Sequence, residues 1–433
     1  MSTLRQKLER ASPVLLCAYA GTAAFAAYFS MYAFRKPFSA ATFEGVEGWS
    51  FLLDYKVALV IAQVAGYALS KVVGVKVIAE MGRSGRAAAI LVLIGASWLA
   101  LLLFAVVPAP WNVAALFLNG LPLGLIWGLV FSYIEGRRTS EVLGAILCGS
   151  FIVSSGMVKT VGGWVMASGV SPFWMPAVTG LIFMPLLAIS VFGLSQLPPP
   201  SAEDEAQRVR RAPMDHGQRR AFLAAYGPGV VMLVIAYVFF TAVRDFRDNF
   251  AAEIWEGLGY KDVASVFTAS EAPVAVIALA ALAATMVIKD NQRALIALLG
   301  VVALGAALLG LSTLAFQAGL LSPIAWMIAS GAGLYMAYTP FNAMLFDRMI
   351  AATGQVGTAG FLIYLADASG YLGSVALLLI KTFMSLQLDW LSFFTLVTYA
   401  ASVVSTLLVV AASVYFLRRW PSIPLSARRV RTL

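Results

Sequence analysis

The chain has 433 residues, of which 61% are hydrophobic and only 12% are charged, and its mean hydropathy is +0.86. So little charge could not solvate the surface of a soluble domain of this size, which excludes a soluble enzyme or binding module and places the chain in a membrane. The net charge is +9, yet all but eight of the 30 Lys and Arg gather on one side of the expected topology, leaving Arg35, Lys36, Lys56, Lys159, Arg244, Arg247, Lys261 and Lys381 elsewhere. That asymmetry follows the positive-inside rule, so the basic excess reads as topology, with both termini in the cytoplasm of a cell (inner) membrane, and not as nucleic-acid binding.

The N-terminus Met1 to Arg10 is polar and shows no removable signal peptide. Apolar runs of roughly 20 residues then predict twelve membrane-spanning helices. They run Pro13 to Ala41, Tyr55 to Ala79, Ala87 to Val107, Trp111 to Ile134, Val142 to Ala167 and Pro176 to Leu194. After the break come Pro228 to Phe250, Val263 to Val287, Ala294 to Phe316, Ile324 to Phe346, Gly357 to Leu379 and Trp390 to Leu417. The runs are continuously apolar and not alternating, which favours helices over a β-barrel. Between the two sets lies the one long polar interruption, Pro198 to Glu205 and Arg208 to Arg220. The expected organisation is an all-α membrane protein: a six-helix bundle over 1–197, a cytoplasmic linker over 198–222, a second six-helix bundle over 223–420 and a basic tail over 421–433.

Charges inside such segments are costly, about 2.5–3.5 kcal/mol for a central Arg on insertion scales, and default to a functional reading. The first segment carries Ala27-Tyr28 followed by Tyr32-Ala33-Phe34-Arg35, and the seventh repeats the pattern as Ala236-Tyr237, Thr241 and Arg244 at the same offsets. On a helix Tyr28, Tyr32, Arg35 and Ser39 share one face, as do Tyr237, Thr241, Arg244 and Asp248. Further pairs, Glu135-Gly136-Arg137 with Asp347-Arg348 and Ser155-Gly156 with Ser369-Gly370, recur at a near-constant offset of about 210 residues. A guanidinium stays charged when desolvated and offers a planar fork of donors suited to phosphate or carboxylate, so Arg35 and Arg244 are the first candidates for an anion site. The bland alternative pairs Arg244 structurally with Asp245 or Asp248.

Lys36 and Arg247 flank the arginines and read as mouth residues that guide anions inward. Lys159, with Ser155 in a Gly/Ser-rich fifth segment, is a cavity ligand or a lysine reaching toward the outer end. Lys71 alone reads as a snorkelling lysine. Glu271 and Asp367 are buried carboxylates, either counter-ions to the arginines or proton carriers, with contact to a substrate amine open for Asp367. Trp127, Tyr338 and Asn342 are candidate cavity liners. Cys17 and Cys148 read as small hydrophobes and His216 as a loop residue, so no disulfide, metal or cofactor is expected.

The stretch Tyr32-Ala33-Phe34-Arg35-Lys36-Pro37-Phe38 resembles the first-helix Arg-Lys-Asn-Phe motif of organophosphate:phosphate antiporters, the glycerol-3-phosphate and hexose-phosphate transporters of the major facilitator superfamily. Gly66-Tyr67-Ala68-Leu69-Ser70-Lys71 resembles their second-helix Tyr-Gly-Phe-Ser-Lys. The resemblance implies that Arg35 and Arg244 bind phosphate, that Lys71 lines the site, and that the two bundles alternate access by rocking. Only part of the superfamily's loop motif survives in Glu80 to Arg86. The family's fifth-helix histidine has no counterpart, and Asp367 and Glu271 are additional acids. Both signs of charge then suit a zwitterionic or amine-bearing phosphate or carboxylate moved with protons.

The expected function is a secondary active transporter, antiporter or symporter, for a small organic anion. Its site would lie between the bundles, built from Arg35, Arg244, Lys71, Lys159, Tyr28, Tyr32, Tyr237, Thr241 and Ser155, with Asp367 and Glu271 for coupling. The partners are an anionic small molecule and membrane lipids, with no nucleic acid, and the chain is expected to be a monomer. The alternatives are a proton-coupled transporter of a cationic or neutral solute, with the arginines structural, and a transporter-like solute sensor. A membrane enzyme lacks support from any nucleophile or histidine motif.

Overall fold

The computed structural model describes residues 3–419 except 81–84, 138, 202–203, 205–215, 262, 354–359 and 385–387. The basic tail 421–433 and most of the expected linker therefore lie outside the described residues. The helices are α1 (Thr3–Glu9), α2 (Pro13–Tyr32), α3 (Tyr55–Glu80), α4 (Arg86–Val106), α5 (Val113–Ile134), α6 (Ser140–Ala167), α7 (Met175–Ser195), α8 (His216–Asn249), α9 (Ala251–Gly257), α10 (Ser265–Met286), α11 (Asn291–Gln317), α12 (Pro323–Ala343), α13 (Leu345–Thr353), α14 (Gly360–Phe383) and α15 (Trp390–Arg419). Twelve of these are 20 residues or longer, and nine are long and apolar enough to cross a membrane, among the described residues. Leucines, valines and isoleucines at exposed positions, such as Val92, Ile189, Val276 and Leu304, have no solvating charge beside them and suit a lipid-facing surface.

Two compact units form. Unit 1 holds residues 1–206, 246–272 and 378–391, and unit 2 holds 207–245, 273–377 and 392–433. Helices α8, α10, α14 and α15 each contribute to both.

In unit 1, α3 and α5 pack backbone to backbone. A Cβ on Gly66 would lie 2.2 Å from Phe117 O, and one on Gly120 would lie 2.2 Å from Gln63 O. Only glycine tolerates that approach, and van der Waals contact and exposed backbone replace the hydrophobic drive that lipid removes. In the same unit Gly156 and Gly163 of α6 let the start of α10 and the residue before it approach closely. A Cβ there would sit 2.6 Å from Phe267 O and 2.6 Å from Ala264 Cβ respectively. In unit 2, Gly305 of α11 and Gly333 of α12 meet in the same way, as do Gly370 and Gly373 of α14 with Thr241 and Val238 of α8.

The first segment departs from expectation. α2 stops at Tyr32, and Arg35 lies in a tight turn that leads to a 3-10 turn over Pro37–Ala40. The cause is Pro37, which has no N–H to offer Ala33 O and whose ring crowds that carbonyl, so the regular helix cannot continue through it. The one-face argument therefore holds for Tyr28 and Tyr32 but does not extend to Arg35 and Ser39. It does hold along α8, which is helical through Tyr237, Thr241, Arg244 and Asp248. α8 also begins at His216, well before the expected Pro228, and carries that proline inside it. The expected tenth segment divides after Ala343 into α12 and the short α13.

Candidate functional site

In unit 1 the helix break frees the carbonyls of Phe34 and Arg35, and buried free carbonyls must find donors. Gln63 of α3 donates to Arg35 O at 2.9 Å and to Asn119 Oδ1 at 2.7 Å. Asn119 of α5 donates to Phe34 O at 3.0 Å and to Ser97 Oγ of α4 at 2.6 Å. All three side chains are buried. Four helices thus converge on the turn that presents Arg35. The Arg35 guanidinium lies over the Tyr67 ring at 3.9 Å and near Tyr32 at 5.9 Å. Lys71 shares the other reach of Tyr67, with Nζ 5.4 Å from the ring centre. Tyr28 is buried and packs edge-on against Tyr32 and Trp127. Arg35, Lys71, Tyr28 and Tyr32 therefore do come together, with Tyr67 at their centre.

A layer of buried ion pairs lies in the same unit. Asp248 takes Lys36 on Oδ2 at 2.5 Å, and on Oδ1 it takes Lys159 at 2.7 Å together with the Ser155 hydroxyl. Lys36 also donates to Asn249 Oδ1 at 2.8 Å. Arg247 pairs with Glu271. Lys56 pairs with Glu253 at 2.6 and 2.8 Å and donates to Ser39 O. Glu253 lies in the short helix α9, where burial pushes its carboxyl above the ordinary range while Lys56 pulls it down.

These pairs correct several expectations. Lys36 and Arg247 are not mouth residues, because each is 3% exposed and bonded to a carboxylate from another part of the chain. Lys159 does not reach outward, and both it and Ser155 are engaged by Asp248. Glu271 serves as the counter-ion of Arg247. The buried layer thus sets Lys36, Lys56, Lys159 and Arg247 against Asp248, Glu253 and Glu271.

Unit 2 has its own arginine-on-tyrosine arrangement. Arg244 lies over the Tyr338 ring at 4.3 Å and donates to the Tyr338 hydroxyl. Its Nε and Nη2 both reach Asp245 Oδ1, at 3.2 and 2.6 Å, and Asp245 Oδ2 accepts from Ser374 of α14 at 2.7 Å. Tyr237 stacks on Tyr338, and its hydroxyl is 2.7 Å from Asp367 Oδ1 and 3.3 Å from the Tyr338 hydroxyl. Asn342 joins the same hydroxyl at 3.3 Å. Thr241 donates to Tyr237 O and packs on Gly370, so its hydroxyl is used within its own helix. The structural pairing of Arg244 therefore falls to Asp245, while Asp248 serves the lysines.

Several functional groups carried a weak signal in the sequence. Gln63 and Asn119 are amides inside apolar runs, and a polar atom there has to be satisfied by a partner. Lys56 and Glu253 stand at the ends of apolar runs, where a charge is unremarkable until its partner is known. A cavity of about 1330 Å³ also opens in unit 1, lined in part by Phe43, Asn112, Phe173, Trp255, Glu256 and Tyr260. Neither arginine lines it. Among the described residues no group of His, Cys, Asp and Glu is placed to hold a metal ion.

The fold is similar to that of solved transporters. One is a bacterial homologue of the human drug peptide transporters PepT1 and PepT2, with TM-score 0.62 and 14% identity over 93% of this chain and 99% of that one. A peptide transporter POT in complex with sulfate gives TM-score 0.60 and 16% identity over 93% and 95%. A D-xylose-proton symporter gives 0.60 and 18% over 95% and 98%. A search of curated protein sequences returns no match. The chain is thus a multi-pass, all-α integral membrane protein with the twelve-helix fold of the major facilitator type. Residues 37–419 match the model of a family of unknown function, DUF5690, and the chain belongs to that family.

Proposed function

We propose that the protein is a secondary active transporter of a small organic anion, with Arg35 and Arg244 as the anion-binding groups of unit 1 and unit 2 and Lys71 assisting Arg35. The observation that carries this reading is the buried Arg35 guanidinium set over the Tyr67 ring, with Lys71 on the same ring. Two cations held by one ring repel each other, and an anion bound beside them would relieve that repulsion. Each arginine also places its guanidinium carbon over a tyrosine ring, a contact that helps hold it in position for a carboxylate, phosphonate or phosphate. The likeness of fold to peptide transporters and to a proton symporter supports transport driven by protons over exchange for phosphate. The protein would act as a monomer in the cell membrane with both termini in the cytoplasm, its two six-helix halves joined by the linker at 198–222. Lys36, Lys159, Arg247 and Lys56 would hold one side of the path shut through their carboxylates and release it as the halves rock.

A second reading, transport of a cationic or neutral solute with protons, draws on Asp367 and Asp245, which outnumber Arg244 in unit 2. Uptake into proteoliposomes decides between them. Organophosphates, phosphonates and carboxylates are offered with an internal phosphate load or an imposed pH gradient. Anion uptake that is lost in both Arg35→Gln and Arg244→Gln supports the proposal. Anion uptake that survives both substitutions, or uptake of amines alone, overturns it.

A further inference from the structure

The cavity in unit 1 stands apart from both arginines, and its walls have a chemistry of their own. It is lined by residues 40–48, by the end of α4 and the residue that opens α5, by the end of α6, and by α9 with the start of α10. These connections alternate along the chain and so share one membrane face, the outer one if both termini are cytoplasmic. Three carboxylates line it, Glu44, Glu47 and Glu256, against one cation, Lys261, whose Nζ is 2.5 Å from Glu256 Oε1. Helix ends of both polarities meet there, so their dipoles oppose one another, and the side chains make the field negative in a chain of net charge +9. Much of the remaining wall is aromatic: Phe43, Phe173, Trp255 and Tyr260. Phe43 has a φ of +56°, which a bulky residue adopts only when it is held there. Its ring is clamped by Tyr55, Phe104 and Phe173, at centroid distances of 5.8, 6.1 and 5.5 Å. Gly48 ties down the other end of this loop, where a Cβ would lie 2.8 Å from Ala109 O. Glu44 and Glu47 are therefore carried on a fixed wall.

Asn112 points to a ligand. It immediately precedes α5, lines the cavity and is 1% exposed. An asparagine in this position ordinarily turns its side-chain oxygen onto the first free N–H groups of the helix, yet Asn112 makes no such bond. Tyr55 lies near enough to interact with it, but Asn112 Oδ1 receives no hydrogen bond. A buried acceptor without a donor is destabilising, and a donor brought into the cavity satisfies it. The terminal torsion of the amide is soft, so Oδ1 can turn to meet that donor. Among the described residues no group of His, Cys, Asp and Glu is placed to hold a metal ion, so carboxylates spread in this way suit a larger cation. We propose that the cavity binds a primary ammonium carried on an aromatic or apolar body. The carboxylates draw the charge, the rings cover the body, and one N–H completes Asn112 Oδ1. This goes beyond anion transport and does not depend on it, since neither Arg35 nor Arg244 lines the cavity.

The test uses phenethylamine, which is cationic at neutral pH, and 2-phenylethanol, which has the same body without the charge. Binding is read from the rise in melting temperature of the full-length protein in detergent at low salt. The wild type should bind the amine about tenfold more tightly than the alcohol. Glu44→Gln combined with Glu47→Gln, both at exposed positions, should weaken amine binding about fivefold and leave alcohol binding unchanged. Asn112→Leu should weaken amine binding about tenfold. Asn112→Asp should tighten it several-fold, a gain that a merely structural asparagine would not give. Melting temperatures without ligand check folding, and if the Asn112 variants do not fold, the exposed glutamates decide alone. Amine binding no tighter than alcohol binding, or amine affinity unchanged in the glutamate variant, overturns the proposal. Folded Asn112 variants that bind the amine like the wild type overturn it as well, because the cavity would then be an acidic recess without a ligand site.

Discussion

The two arginine regions begin alike and end differently. Each places a guanidinium on a tyrosine, at 3.9 Å in unit 1 and 4.3 Å in unit 2. In unit 1 the next residue is Lys36, and the arginine sits on a turn held through its backbone by Gln63 and Asn119. In unit 2 the next residue is Asp245, and the arginine sits within a continuous helix, held through its own side chain. Charges about 4 Å apart in a partly buried setting interact by about 4 kcal/mol, enough to decide which arginine is available to a visiting anion. On the proposed reading, Arg35, followed by a second cation, suits anion capture, while Arg244, bonded to Asp245, presents a guanidinium already shared with a carboxylate.

The largest test of this contrast is Asp248→Asn. Lys36 and Lys159 then lose their shared carboxylate, and removal of one partner from a buried pair costs about 3–5 kcal/mol. A marked fall in melting temperature is expected, with partial recovery when Lys159→Met is added. If the single change leaves stability intact, other groups hold Lys36 and Lys159 and the pairs with Asp248 carry little of the fold. Asp245→Asn comes next, at about 2–3 kcal/mol, because the Tyr338 hydroxyl still accepts from Arg244. It should nevertheless tighten sulfate binding several-fold by removing the internal competitor. Weaker binding would mean that Asp245 orients Arg244 and does not compete. Asn119→Leu follows. It strands the Phe34 carbonyl and the Ser97 hydroxyl at about 1–3 kcal/mol, and it should raise the sulfate dissociation constant by loosening the turn that presents Arg35.

The twelve long apolar runs were legible in the sequence because spanning helices need about 20 residues without charge, a local property that composition reveals. The repeated arginine was legible for the same reason: a charge in an apolar run is conspicuous. What escaped was everything that depends on a second segment. Lys36 reads as a mouth residue until Asp248, over two hundred residues away, is seen to hold it. Lys56 gives no sign of Glu253. The helix break at Pro37 was encoded in one residue, yet apolar continuity through Ala41 masked it. The amides Gln63 and Asn119 lie inside apolar runs, but the carbonyls they satisfy are open only because that break occurs.

The smallest expected effect concerns Lys71, and it bears on how anion binding in unit 1 is divided between Arg35 and Lys71. Lys71 is only partly buried and lies 5.4 Å from the ring that carries Arg35, a geometry worth about 0.5–1 kcal/mol where solvent reaches. Salt screens such a charge over about 8–10 Å at physiological strength, while Arg35, 7% exposed, is screened far less. Lys71→Met should therefore leave the melting temperature unchanged and weaken sulfate binding two- to five-fold at low salt, an effect that fades as salt rises. Arg35→Gln should abolish binding at either salt concentration. Equal losses from the two substitutions would make Lys71 a direct ligand, and the capture charge of unit 1 would then belong to the Tyr67 ring's two cations together and not to Arg35 alone.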